Sequence, residues 1–182
     1  MYKKNSTTSI VLVGLFAALT ILGTMLKIPL PTGAFVHLGN AVLLLAVLLI
    51  GYKKGALAGG LGFAIFDVLN GFAAEAPYFI IESFIVGGAA ALMIVFFHHN
   101  INTIWKIIVV AAVTGIAKII MTQVKNTMMG LLAGADFNVA FASSLSKLPA
   151  TFINVATTIV IVSLVYFPLK KAMDIIFTKQ TF

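Results

Sequence analysis

Cysteine and arginine are both missing from this chain of 182 residues, acidic residues number five and tryptophan one. Without cysteine there is no disulfide scaffold, no thiolate metal site, no cysteine nucleophile and no redox signature of a compartment. All twelve basic residues are lysines that punctuate apolar runs instead of clustering on one face, so the net charge of +7 does not describe a nucleic-acid-binding surface. Charged residues make up only 9% of the chain, too few for a soluble domain. Enzyme signatures are also lacking: there is no glycine-rich phosphate loop, no G-x-S-x-G elbow and no H-E-x-x-H. No low-complexity tract, linker or internal repeat divides the chain, which is expected to form a single domain over 1–182 without a soluble ATP-hydrolysing unit.

What remains is apolar. Hydrophobic residues reach 61% and the mean hydropathy is +1.12, more than a soluble chain of this size buries. The fold class predicted is an all-α integral membrane protein, a compact bundle of six transmembrane helices at about 9–28, 36–51, 55–72, 77–97, 104–125 and 147–168. Lys53 and Lys54, between Gly51 and Gly55, mark a polar turn between two short helices. The N-terminal run has no convincing cleavage site and is read as the first retained span. Lys3, Lys4, Lys53, Lys54, Lys106, Lys170, Lys171 and Lys179 fall on one side, against Lys27, Lys125 and Lys147 on the other, which predicts cytoplasmic termini in the plasma membrane. The outward connections then include Pro29–Phe35 and an irregular loop over Asn126–Ser146.

Ionisable groups inside spans are costly and should face the bundle interior or a wet cavity. Glu82 lies in the fourth span, with Tyr78 one turn earlier, and Asp67 and Asn70 sit near the outer end of the third. Thr114, Lys118, Thr122 and Lys125 form one stripe of the fifth span, and Lys147, Thr151, Asn154 and Thr158 form another on the sixth. These stripes are positioned to converge on a pocket in the outer half of the bundle. The same pattern also describes packing alone, with Glu82 and Lys118 as an ion pair that fixes register. Two prolines and Gly33 keep residues 29–36 out of a helix, so His37 and Asn40 enter the second span from an ordered outer turn. His37 has no partner at helical spacing, and His98-His99 on the opposite side would need ligands from elsewhere, so no metal and no cofactor are assigned. Gly14 and Ala18 have small-xxx-small spacing, which admits a second helix at close range.

The segments Gly33–Asn40 (GAFVHLGN), Gly51 with Gly55-Ala-Leu-Ala-Gly-Gly-Leu-Gly, and Phe66-Asp67-Val-Leu-Asn70-Gly71 followed by Ala76-Pro77-Tyr78 resemble the S components of energy-coupling factor (ECF) vitamin transporters. The likeness is nearest to the branch of riboflavin-type and hydroxymethylpyrimidine- or pyridoxine-type members and extends over essentially the whole chain. It implies a subunit that captures a vitamin or precursor from outside and docks on a membrane T component driven by two ATPases, with ATP used by those partners. It places the T-component contact at Gly14 and Ala18, where the family usually has alanine at both positions. Substrate-binding candidates are His37, Asn40, Asp67, Tyr78, Glu82, Lys118, Thr122, Lys147 and Asn154. The sole tryptophan, Trp105, lies at the cytoplasmic interface, which disfavours indole stacking of a thiamine-like ligand, whereas Lys118, Glu82, Asn154 and Tyr78 suit hydrogen bonds to a small hydroxylated heteroaromatic ring such as pyridoxine or hydroxymethylpyrimidine. Two alternatives stay open from the residues alone: an ion-coupled secondary transporter using Glu82 or Asp67, and a non-transporting membrane scaffold.

Overall fold

The computed structural model describes residues 6–178, and its architecture follows from where glycine and proline interrupt the apolar runs. Helix α1 spans Ser6–Met25 and stops ahead of Pro29 and Pro31, which lack the amide donors a helix needs. Strands β1 (Ile28–Pro29) and β2 (Phe35–Val36) pair antiparallel, with Ile28 opposite Val36, and Gly33 at φ 77° makes the turn between them. The Leu38 amide donates to the Gly23 carbonyl at 2.8 Å, pinning this excursion to the end of α1. Helix α2 then runs over Gly39–Ile50, so His37 stays in the connection and does not enter the helix.

The break between the second and third helices is a single residue. Gly51, at φ 88°, reverses the chain by itself, and Tyr52, Lys53 and Lys54 form the first turn of α3 (Tyr52–Leu69), where a polar turn was expected. Lys54 Nζ donates to Ser9 Oγ at 2.7 Å, which gives the lysine a place in a helix rather than a loop. A single 3-10 turn, Ala73–Glu75, leads into α4 (Ala76–Phe96), with Pro77 in the first turn, where a missing amide hydrogen costs nothing.

Helix α5 covers Ile104–Leu132, seven residues beyond its expected end, and is followed by a short α6 over Phe137–Leu145 where an irregular loop was expected. Gly130 packs against Ala140, and Ser144 meets both Gln123 and Thr127, so small and polar residues hold α6 to α5 while its large apolar residues face outward. At the helical rise α5 is ~44 Å long, well beyond the ~30 Å hydrocarbon core. Helix α7 spans Leu148–Thr178 and continues through Pro168, where the expected span ended.

Four segments are long and apolar enough to cross a bilayer: Thr7–Met25, Ala73–Phe96, Ile104–Leu132 and Leu148–Ile176. Helix α2 is apolar but short, and α3 carries Lys53, Lys54 and Asp67. Glycines let α3 sit in the groove between α1 and α2. A Cβ at Gly55 would strike the backbone of Ala46 and Val47, one at Gly59 would strike Leu43, and one at Gly62 would strike Thr20 and the Ala17 carbonyl. Around this seam lies a core of Phe16, Leu44, Phe63, Val86, Ile107, Val110 and Val162. Ile10, Leu22, Leu92, Ile116 and Leu164 project outward, as the lipid-facing surface of a multi-pass membrane protein does.

Candidate functional site

At the end of the bundle where α1 and α3 finish, a cavity of about 250 Å³ opens between the connections and the last helices. Helices α3, α4, α5 and α7 each contribute one face. From α3 come Phe63, Phe66 and Asp67; Glu75 precedes Phe79 and Glu82 of α4; α5 adds Lys118, Thr122, Lys125 and Asn126; Lys147 leads into Ala150, Thr151 and Asn154 of α7. Spacings of three and four residues put each set on one side of its helix. Thr24, Gly33, Ala34, Phe35, His37 and Phe72 close the cavity from the α1 end, the β1–β2 hairpin and the α3–α4 connection.

Most of the cavity's charge is already matched. Lys118 Nζ lies 2.6 Å from Glu82 Oε2, with both side chains largely buried, and Lys125 Nζ lies 2.6 Å from Glu75 Oε2 nearer the surface. The two ammonium groups stand 5.3 and 5.1 Å from the centre of the Phe79 ring, and Lys118 is also 5.7 Å from that of Phe63. Ring faces carry negative potential, so Phe79 and Phe63 add to the stabilisation these ammonium groups gain from their carboxylates. Asp67 differs: it is 5% exposed, and its Oδ2 is buried without a hydrogen-bond partner among the described residues.

The hairpin wall is fastened from across the bundle. Asn154 Oδ1 accepts the His37 backbone N–H at 2.8 Å, and Asn154 Nδ2 donates to the Phe35 carbonyl at 3.1 Å. His37 Nδ1 in turn accepts the Gly39 N–H at 3.2 Å, which requires that nitrogen to be unprotonated and leaves the hydrogen of a neutral ring on Nε2. On the other flank Lys27 Nζ lies 5.1 Å from the Phe35 ring centre and 4.8 Å from that of Phe66, and donates to Asn70 Oδ1 at 3.3 Å.

Of the candidates from the sequence, His37, Asp67, Glu82, Lys118, Thr122, Lys147 and Asn154 meet at this cavity. Asn40 and Tyr78 do not line it. The Asn40 side chain is buried lower in the bundle, with neither amide atom partnered among the described residues, beside a much smaller space shared with Thr114, Thr158 and Lys118. Tyr78 turns away, its hydroxyl donating to the Met121 carbonyl at 2.5 Å. Sequence reasoning missed Glu75 and the phenylalanine walls. The signal was present, since Phe79 precedes Glu82 by three positions and Phe63 precedes Asp67 by four. Gly14 and Ala18 lie exposed on α1, and a Cβ at Gly14 would meet nothing within 4 Å.

A family model, the ECF-type riboflavin transporter S component, matches residues 4–171. The chain belongs to this family. A comparison with curated proteins finds no match. As an ECF S component the protein is the substrate-binding subunit of a vitamin-type transporter and not an enzyme, which favours the transport reading over a scaffold. Membership also brings a small vitamin as substrate and, in general, T and ATPase partners, and its apolar helices make it a multi-pass protein of the plasma membrane.

Proposed function

We propose that this S component captures a single-ring, hydroxylated heteroaromatic vitamin or precursor, hydroxymethylpyrimidine or pyridoxine, in the cavity between α3, α4, α5 and α7. The observation that carries the reading is the cavity itself: about 250 Å³ walled by phenylalanine faces and by carboxylate, ammonium and hydroxyl groups. That volume is below the roughly 300–1,000 Å³ of most small-molecule sites, and suits one substituted ring better than a tricyclic flavin with a polyol tail. Phe35, Phe66, Phe72 and Phe79 supply stacking faces, while Asp67, Thr122, Lys147, Thr151 and the exposed edges of the Glu82–Lys118 pair supply polar contacts.

In this reading the chain forms one six-span bundle with cytoplasmic termini, as the lysine distribution predicts, and the cavity faces outward. Loaded protein engages a T component with two ATPases through the small-residue face of α1 at Gly14 and Ala18, and needs no cofactor of its own. Calorimetry on the purified protein tests the substrate. Hydroxymethylpyrimidine or a B6 vitamer is expected to bind more tightly than riboflavin. Saturable binding of riboflavin with no competition from either single-ring compound refutes the assignment.

A further inference from the structure

Three carboxylates and three lysines line the cavity: Asp67, Glu75 and Glu82 against Lys118, Lys125 and Lys147. The wall therefore has no net formal charge when all six are ionised, yet its charges are not evenly matched. Glu82 and Glu75 are each held by a lysine at 2.6 Å. Asp67 has no ion-pair partner among the described residues, although it is the second most buried of the three carboxylates, and its Oδ2 accepts no hydrogen bond there. Its backbone is fully engaged, the carbonyl accepting the Phe72 N–H at 2.8 Å, so the turn after α3 holds the residue in place. A buried carboxylate left without a donor is a standing cost, and in a ligand cavity a donor from the ligand removes it.

The surroundings restrict what that donor is. The Phe35 ring lies 6.3 Å from Phe66 and 6.4 Å from Phe72, and all three rings line the cavity beside Asp67. Flat apolar faces around one unpartnered carboxyl oxygen fit a planar heteroaromatic ring whose edge carries an N–H, or a ring nitrogen able to take a proton.

Resting on the substrate reading above, we infer that Asp67 is the residue that sets specificity within that class, by accepting a hydrogen bond from a protonated ring nitrogen or an aminopyrimidine-type edge of the ligand. The Lys147 side chain, which lines the cavity and has no hydrogen-bond or ion-pair partner among the described residues, is left to meet an oxygen acceptor elsewhere on the same ring. The ligand class is thus a neutral or zwitterionic ring with a nitrogen donor on one edge and an oxygen on another.

The experiment compares binding of two matched pairs to full-length protein in detergent: hydroxymethylpyrimidine with the analogue in which hydrogen replaces its amino group, and pyridoxine with the analogue in which a carbon replaces the ring nitrogen. A charge-assisted hydrogen bond to a buried carboxylate predicts that the donor-bearing member of at least one pair binds about 10- to 100-fold more tightly. Asp67→Asn, which keeps the shape, should abolish that preference while the protein keeps its melting temperature within a few degrees. Equal affinity within both pairs on the wild-type protein overturns the inference while leaving the single-ring substrate intact, and this comparison needs no variant to fold. A preference that survives unchanged in folded Asp67→Asn also overturns it. Failure of all four compounds to bind overturns the substrate reading and the inference with it.

Discussion

Asn154 joins positions 117 residues apart: its side-chain oxygen accepts the His37 backbone N–H at 2.8 Å, while its amide nitrogen reaches the Phe35 carbonyl at 3.1 Å. One side-chain amide thereby satisfies backbone groups on both sides of Val36, as a neighbouring strand would, and makes the hairpin a fixed wall of the cavity. This changes the meaning of a residue that, as a position on a polar stripe, looked like a direct ligand contact.

Asn154→Ala is accordingly expected to act on the wall. Two hydrogen bonds worth about 1 kcal/mol each are lost. Hydrogen exchange over residues 28–38 should rise and ligand dissociation should quicken, with association little changed. Unchanged exchange in this segment together with weakened binding would show that Asn154 touches the ligand and does not secure the hairpin.

The Glu82–Lys118 pair is a buried ion pair, to which the proposed function adds a part in binding, and substitutions separate the two. Lys118→Ala leaves Glu82 buried and unmatched, which should destabilise the protein by roughly 3 kcal/mol. Glu82→Leu combined with Lys118→Met removes both charges and should recover most of that stability, since buried pairs are often replaceable by apolar residues of similar size. Vitamin binding should remain weak in the double variant. Full recovery of binding alongside stability, measured by calorimetry and thermal melting on the same samples, would reduce the pair to a register device.

Much of this was legible in the chain. Polar residues at helical spacing on α5 and α7 did predict a shared face, because a charged or amide side chain in lipid has few places to go. Phe79 and Phe63 were hidden by their own abundance: among fifteen phenylalanines, only the partners across the cavity distinguish a wall from the core. Glu75 was hidden differently, since a carboxylate in a connection reads as solvated until Lys125 is found beside it. Helix α6 escaped because Gly130, Ala140 and Ser144 hold it to α5 by close approach and hydroxyl contacts, while its apolar residues Phe137, Phe141 and Leu145 face outward. The α2–α3 corner was misjudged by three residues because Lys53 and Lys54 resemble a turn, whereas Gly51 alone makes it.

Asn40 supplies a prediction of opposite sign. Its side chain is 8% exposed and both amide atoms lack a partner among the described residues, next to Leu43 and Val86. An unsatisfied buried amide costs about 1–3 kcal/mol, so Asn40→Leu should raise the melting temperature. Because Asn40 stands outside the cavity, ligand affinity should stay within about twofold, a change worth under 0.5 kcal/mol. A lower melting temperature would mean that the amide is satisfied in the membrane-embedded protein.

The exposed face of α1 can be probed without disturbing either the core or the cavity. Phe16, Ala17, Thr20 and Thr24 point inward, whereas Gly14 and Ala18 lie on the opposite side between Leu15, Leu19 and Leu22. Since a side chain at Gly14 meets nothing in the protein, Gly14→Leu should leave folding and vitamin affinity intact, and Ala18→Leu should do the same. If these small residues admit a helix of the T component, bulk there removes close backbone approach and should sharply reduce co-purification with the energising subunits and uptake. Normal assembly with both variants would move the partner contact to another face. Loss of vitamin binding in parallel with assembly would mean that α1 transmits to the cavity, which its packing against α3 through Gly62 and Thr20 makes the specific alternative to test.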